Sequence, residues 1–297
     1  VNVQSPQEVD AIAKEPRQAV ETYRHLRMFL IALPVFLLIT TAIGGWMLGD
    51  FADSISANYD TPLRDILVGV LVAIGACLIV YRGKPVEDLA LNVAGFYAMF
   101  VAFVPYSLNE VLTGRTILQG QELTDAEAAA DELVKVLPVI VISLVVVASV
   151  FFGIEWARGL LKRHTMSTSM AHRILFFVTL GLGAGFLILL LVTGLIMRTY
   201  AGIHMVAAIL MIVGLATAIA SHGWDTDAKA STPKIALQYR VIVGFMVVVG
   251  LALIWHLTFG LRFENAVAYI EWAAILLFTW YWVAETVRQE SLIKTGA

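Results

Sequence analysis

Four histidines and one stranded carboxylate set the chemistry open to this chain. His204, His256 and Glu271 are metal ligands by type, and Glu271 lies inside the apolar run AVAYIEWAAILLF. A carboxylate there must be paired, protonated or solvated from a cavity. With Asp65 as a base, these groups would suit a membrane-embedded, metal-dependent hydrolase or lipid-remodelling enzyme. Alternatively, His204 with His256 and His222 with His172 form two bis-histidine pairs of the kind that hold b-haem for electron transfer. His204 and His222 are 18 residues apart, about 27 Å of helix rise, as two haems on opposite sides of a membrane require. No HExxH motif and no paired cysteines commit the chain to either chemistry, so no cofactor is implied.

The elements that position these groups are membrane spans. Of 297 residues 59% are hydrophobic and 14% charged, and the mean hydropathy is +0.82; soluble chains carry about 25% charged residues. Apolar runs at 29–48, 66–81, 89–108, 136–157, 173–197, 203–222, 238–258 and 266–285 predict an all-α, polytopic bundle of about eight transmembrane helices. Residues 1–28 form a partly helical N-terminal segment and 286–297 a C-terminal tail, both cytoplasmic. The first apolar run follows 28 mostly polar residues and reads as a retained span rather than a cleaved signal. Of the 20 Lys and Arg, fifteen fall in segments that are inside when the N-terminus is inside, and five outside. That bias predicts an N-in/C-in protein of the bacterial inner membrane. The dispersed charges give no nucleic-acid surface. Cys77, the one cysteine, lies in an apolar run and reads as packing.

Ser5 and Pro6 are positioned to start one N-terminal helix and Pro16 a second. Thr124 followed by Glu127 is a capping-box pattern and predicts an acidic helix from about 125 into the fourth span. Pro34, Pro105 and Pro138 should kink or end helices. Gly69, Gly75, Gly95 and the Gly181, Gly183, Gly185 run predict close helix contacts. The WYW run at 280–282 reads as an interfacial belt.

This topology sorts the polar residues into two belts. The outer one holds Arg64, Asp65, Asn109, Glu110, Arg198, His204, His256, Tyr269 and Glu271. There Asp65 is expected to face the interior, with Arg64 neutralising Asp65 or Glu271, or with Arg198 pairing Glu271. The inner belt holds Tyr81, Glu87, Asp88, Asn92, Glu155, His222, Asp225 and Glu285, and Asp88 with Asn92 shares a helix face.

The run RDILVGVLVAIGACLIVYRG, followed by EDLALNVAGFYAMFVAFVP, resembles a family of polytopic membrane proteins. The family includes the damage-regulated autophagy modulators and the GPI-anchor-remodelling proteins, with unassigned bacterial relatives. The likeness is best over residues 59–105, with similar segments at HMVAA, 204–208, and IEW, 270–272. It implies that Arg64, Asp65, Gly69, Tyr81, Gly83, Asp88, Asn92, Gly95 and Pro105 form a structural signature. Members of that family have about six spans, whereas the hydropathy here gives eight.

The leading functional reading is an integral membrane protein with an outward-facing polar cavity that binds or moves a small or lipidic molecule. Membrane lipids are its partners. An accessory subunit docked on another membrane protein is a further alternative. In a Cys77→Ser background, membrane-impermeant thiol reagent on intact spheroplasts should label a cysteine placed at Thr124 and spare one placed at Ala228. The reverse pattern would invert the orientation.

Overall fold

The computed structural model describes residues 6–49, 51–106, 125–159, 170–196, 200, 202–223, 233–259 and 265–295, with no strand among them. The helices are α1 (Pro6–Leu48), α2 (Arg64–Val80), α3 (Pro85–Phe103), α4 (Asp125–Ala157), α5 (Met170–Leu191), α6 (Ile203–Gly223), α7 (Pro233–Phe259) and α8 (Ala266–Thr295). A 3-10 turn, Ser56–Asp60, sits between α1 and α2, and a π-turn, Val192–Ile196, follows α5. Seven helices are long and apolar enough to cross a membrane. The other, α2, has 17 residues, at the short end of the range for a span, about 17–25 residues.

Six helices close into a ring. In spatial order α1, α2, α3, α6, α7 and α8 each pack on the next, and α8 returns to α1. Helices α4 and α5 lie outside it, both against α3, with α5 also touching α6. Much of their surface is apolar and exposed, as in Val139, Ile142, Val150, Phe177 and Ile188, which suits hydrocarbon rather than water. Helix α3 is the most enclosed, with 83% of its span buried.

Small side chains make that enclosure possible. Ala90, Ala94, Ala98 and Ala102 recur every fourth residue of α3 and are wholly buried. A Cβ at Gly95 would lie 2.6 Å from the Gly75 carbonyl oxygen, and one at Gly75 would lie 2.7 Å from the Gly95 oxygen. On the other flank a Cβ at Gly214 of α6 would lie 3.0 Å from the Ala94 Cβ. Gly69, Gly181, Gly183 and Gly185 behave otherwise: each faces open space, so the expected contacts there do not form.

The connections differ from expectation in three further places. Pro16 starts no second helix, because α1 runs unbroken from Pro6 to Leu48. Residues 286–295, read above as the start of a C-terminal tail, continue α8, where Arg288 is buried. Of the WYW run only Trp280 is exposed; Tyr281 and Trp282 are core residues, 1% and 0% exposed. Pro34 and Pro138 lie within α1 and α4, while Pro105 follows the end of α3. Helix α4 begins at Asp125 as the acidic pattern predicts; Thr124 lies outside the described residues.

Side-chain contacts fix the two ends of the bundle. At the hairpin end, named for the Arg82-Gly83-Lys84 turn, Arg24 of α1 meets Glu290 of α8 at 3.4 Å. The loop end carries residues 51–63 over the start of α8. Gly95→Leu should overfill the α2–α3 contact and cost about 1–3 kcal/mol, read as a lower unfolding temperature in detergent. Gly69→Leu, in open space, should leave that temperature unchanged.

Candidate functional site

Among the described residues, Glu271 is met by neutral donors and by no cation. It stands about 8 Å, five residues of helix rise, inside α8. The segment 53–56 folds over it: Ser54 Oγ lies 2.7 Å from Oε2 and 2.9 Å from Oε1, the Ile55 amide donates to Oε2 at 2.5 Å, and Ser56 Oγ reaches Oε1 at 3.2 Å. The Ala268 amide donates to the Asp53 carbonyl at 2.9 Å, which ties the same segment to the first turn of α8. Ser54, Ile55 and Ser56 are all buried. Nothing in the DSIS sequence marks it as a carboxylate cradle, since serines in a connector are common.

Below this cradle lies an apolar cavity of about 110 Å³. All six ring helices line it, with Leu37, Leu71, Ile74, Met211, Met246 and Phe278 among the wall residues; among the described residues Ser56 and Glu271 are its polar ones. On the other side of the same segment, a second pocket of about 240 Å³ carries Thr41, Ser54, Asn58, Asn265, Tyr269 and Trp272. An apolar chamber inside the ring and a more polar vestibule at the loop end are thus separate spaces.

Of the other outer candidates, Arg64, Asp65, His204 and His256 make no bond to Glu271. Arg64 and Asp65 are both exposed. The Arg64 guanidinium lies over the Tyr59 ring at 4.6 Å and donates to its hydroxyl at 3.2 Å, so it neutralises neither carboxylate. Asp65 stays in the first turn of α2, where a negative charge favours the helix N-terminus. His204 is buried and donates from Nδ1 to the Val104 carbonyl at 2.7 Å. His256 is half-buried near the end of α7, Tyr269 is exposed, and His172 is half-buried on α5. Among the described residues no three His, Cys, Asp or Glu side chains converge as metal ligands. Asn109, Glu110, Arg198 and Asp225 lie outside the described residues.

At the hairpin end each residue of the Tyr-Arg-Gly turn has its own task. Tyr81 packs edge-on against Trp282 and Tyr23, with the buried Arg27 beside it. Arg82 bridges Asp88 at 3.2 Å and Glu155 of α4 at 2.9 Å. Partial burial disfavours the Arg82 cation, but Glu155 and Asp88 outweigh it and raise its pKa above the ordinary guanidinium value. Gly83 leaves room for Glu87, whose carboxylate a Cβ there would strike. Glu87 Oε2 in turn accepts from the Lys84 amide at 3.0 Å, and Asp88 from the Gly83 amide at 3.0 Å.

Glu87 also enters a wholly buried network. Its Oε1 lies 3.0 Å from His222 Nε2 and accepts from Tyr281 at 3.0 Å; the His222 contact is off-line for a hydrogen bond but within ion-pair range. Beside it Glu285, 0% exposed, accepts from Tyr239 at 2.7 Å, from Arg288 at 2.8 and 2.6 Å and from Gln289 at 2.8 Å. Asn92 is buried in α3, and its Oδ1 has no partner among the described residues. Of the inner candidates, Tyr81, Asp88, Glu155 and His222 thus belong to contact networks. Tyr239, Tyr281 and Arg288 complete them without a sequence signal, because each looks like an ordinary boundary residue.

No family model, no curated protein and no solved structure matches the chain. The fold and these sites together define an integral, multi-pass helical membrane protein.

The Glu271 cradle gives a sharp mutational contrast. Glu271→Leu leaves the Ile55 amide and two serine hydroxyls without their acceptor, a loss of about 1–3 kcal/mol for a buried donor. Glu271→Gln keeps one accepting oxygen and should lose less. Thermal unfolding, with chymotrypsin cleavage at Tyr59 as a local probe, should rank wild type above Gln and Gln above Leu. Had the partner been a buried cation, apolar replacement could instead be neutral or stabilising. A Leu variant as stable as wild type would sink the cradle.

Proposed function

We propose that this chain binds a small amphipathic or lipidic molecule whose apolar end occupies the ring cavity and whose polar end meets the Glu271 cradle. The carrying observation is the cavity itself: about 110 Å³, walled by apolar side chains from six helices, with one carboxylate at the loop end. That volume is near the ~150 Å³ of an apolar cavity that takes benzene and below the ~300 Å³ where drug-sized pockets begin. It suits a ring or a chain end rather than a whole lipid. A head group that donates a hydrogen bond, such as a hydroxyl or amine, is the natural match for an acceptor carboxylate.

The basic bias supports placing the hairpin end in the cytoplasm and the vestibule outside, in the inner membrane of a bacterium. The six-helix ring supports kinship with the six-span family of the Tyr-Arg-Gly hairpin, with α4 and α5 as an added pair. All segments that carry the resemblance, in α2, α3, α6 and α8, are ring helices.

Organic extraction of protein purified from its native membrane in mild detergent, followed by mass spectrometry, should recover a specific lipidic molecule. Ala274→Trp, which fills the cavity wall, should lose it while the helical content stays unchanged. Equal recovery from the variant, or none from wild type, would overturn the reading.

A further inference from the structure

A second cavity lies outside the ring and rests on separate observations. Between α4 and α5, over the face of α3, is a cleft of about 200 Å³. Phe96, Phe100, Phe152 and Phe186 wall it, and Gly183 and Trp156 stand at its outer edge. The Phe rings meet edge-on or tilted, Phe100 with Phe186 at 5.0 Å and Phe96 with Phe152 at 5.5 Å. Flat aromatic walls of this kind favour a planar guest.

One polar group is out of place there. Tyr97, 4% exposed, lines the cleft, and its hydroxyl has no partner among the described residues. A buried hydroxyl without a partner is costly, so an acceptor is called for. A trapped water needs 2–4 polar partners, and Ser149, a further hydroxyl of the wall, is exposed rather than enclosed with Tyr97. Thr179, the other buried hydroxyl in the wall, already donates to the Leu175 carbonyl at 2.9 Å.

Depth then selects the acceptor. Tyr97 is twelve residues beyond Pro85 in α3, about 18 Å along the helix in a hydrocarbon core of about 30 Å. Phospholipid ester carbonyls sit at the boundary of that core and do not reach its middle. The acceptor must ride on a molecule apolar enough to lie at mid-bilayer.

We propose that the α3–α4–α5 cleft, with the Tyr97 hydroxyl aimed at a carbonyl, binds a flat apolar carbonyl compound of the quinone class from the surrounding bilayer. Binding alone is assigned; no electron transfer is involved.

The test uses the full chain in quinone-free nanodiscs of phosphatidylethanolamine and phosphatidylglycerol, titrated with a benzoquinone bearing a single prenyl tail. Saturable quenching of tryptophan fluorescence is expected, with most of it lost in Trp156→Phe. Tyr97→Phe keeps the ring and should weaken the saturable component between about twofold and tenfold, the worth of one neutral hydrogen bond. Gly183→Leu, built into open space, should abolish it with the unfolding temperature unchanged. Ala274→Trp should leave it intact, which separates this cleft from the ring cavity. Quenching without saturation in wild type, or unaltered by Gly183→Leu, overturns the site. Affinity unaltered by Tyr97→Phe overturns the carbonyl recognition and leaves a groove for acyl chains only.

Discussion

Backbone contact between α2 and α3 at Gly75 and Gly95 is the constraint on which the rest depends. Each glycine meets the other's carbonyl oxygen at a distance that admits no Cβ, and the alanine stripe of α3 permits a similar approach to α6. In hydrocarbon there is no hydrophobic drive between helices, so close packing of small residues must supply the association. The consequence is chemical as well as geometric. Bringing α3 into the bundle carries its polar first turn inward, and Glu87 becomes 1% exposed. Such a group must find partners, and the Lys84 amide, His222 and Tyr281 supply them.

The two ends of the ring meet that demand by different means. At the hairpin end Glu285 is held by a bidentate Arg288 together with Gln289 and Tyr239. Removing one partner of such a buried pair costs about 3–5 kcal/mol, because a charge is left uncompensated. At the loop end the donors to Glu271 among the described residues are neutral, from a short segment that belongs to no long helix. Neutral hydrogen bonds are each worth about 0.5–1.5 kcal/mol. The ring is therefore locked at one end and latched at the other, and the latch separates the apolar chamber from the vestibule.

Hydropathy made the helices legible because bilayer thickness imposes their length, and the Gly75–Gly95 contact was legible because α2 and α3 are consecutive. Glu271 was conspicuous as a carboxylate in an apolar run, but its partners were not. An exposed Arg64 and a cradle of serines 215–217 residues away in sequence look alike until the chain folds. Tyr281 and Arg288 failed for a related reason. Aromatic and basic residues at the end of a span ordinarily mark the interface, and only the continuation of α8 to Thr295 turns them into core. The GLGAG run of α5 misled in the opposite sense. Small residues permit contact without creating it, and here they edge a cleft.

The proposed role of that cleft would give two apolar helices a reason to lie outside a ring that closes without them. Helices α4 and α5 both lean on α3, and the gap between them exposes the one face of α3 that neither α2 nor α6 covers. Had they packed tightly together, Tyr97 would face an apolar interface with no acceptor, at the full cost of an unpaired hydroxyl. Held apart, they leave the same residue beside a cleft, where the proposed carbonyl guest would meet it at a depth that head groups do not reach. The ring cavity offers an acceptor carboxylate from the loop end, and the cleft offers a donor phenol from the bilayer side. On the proposed readings, two guests of opposite hydrogen-bonding character would be told apart by one protein, one at the Glu271 carboxylate beside Ser56 and the other at the Tyr97 hydroxyl.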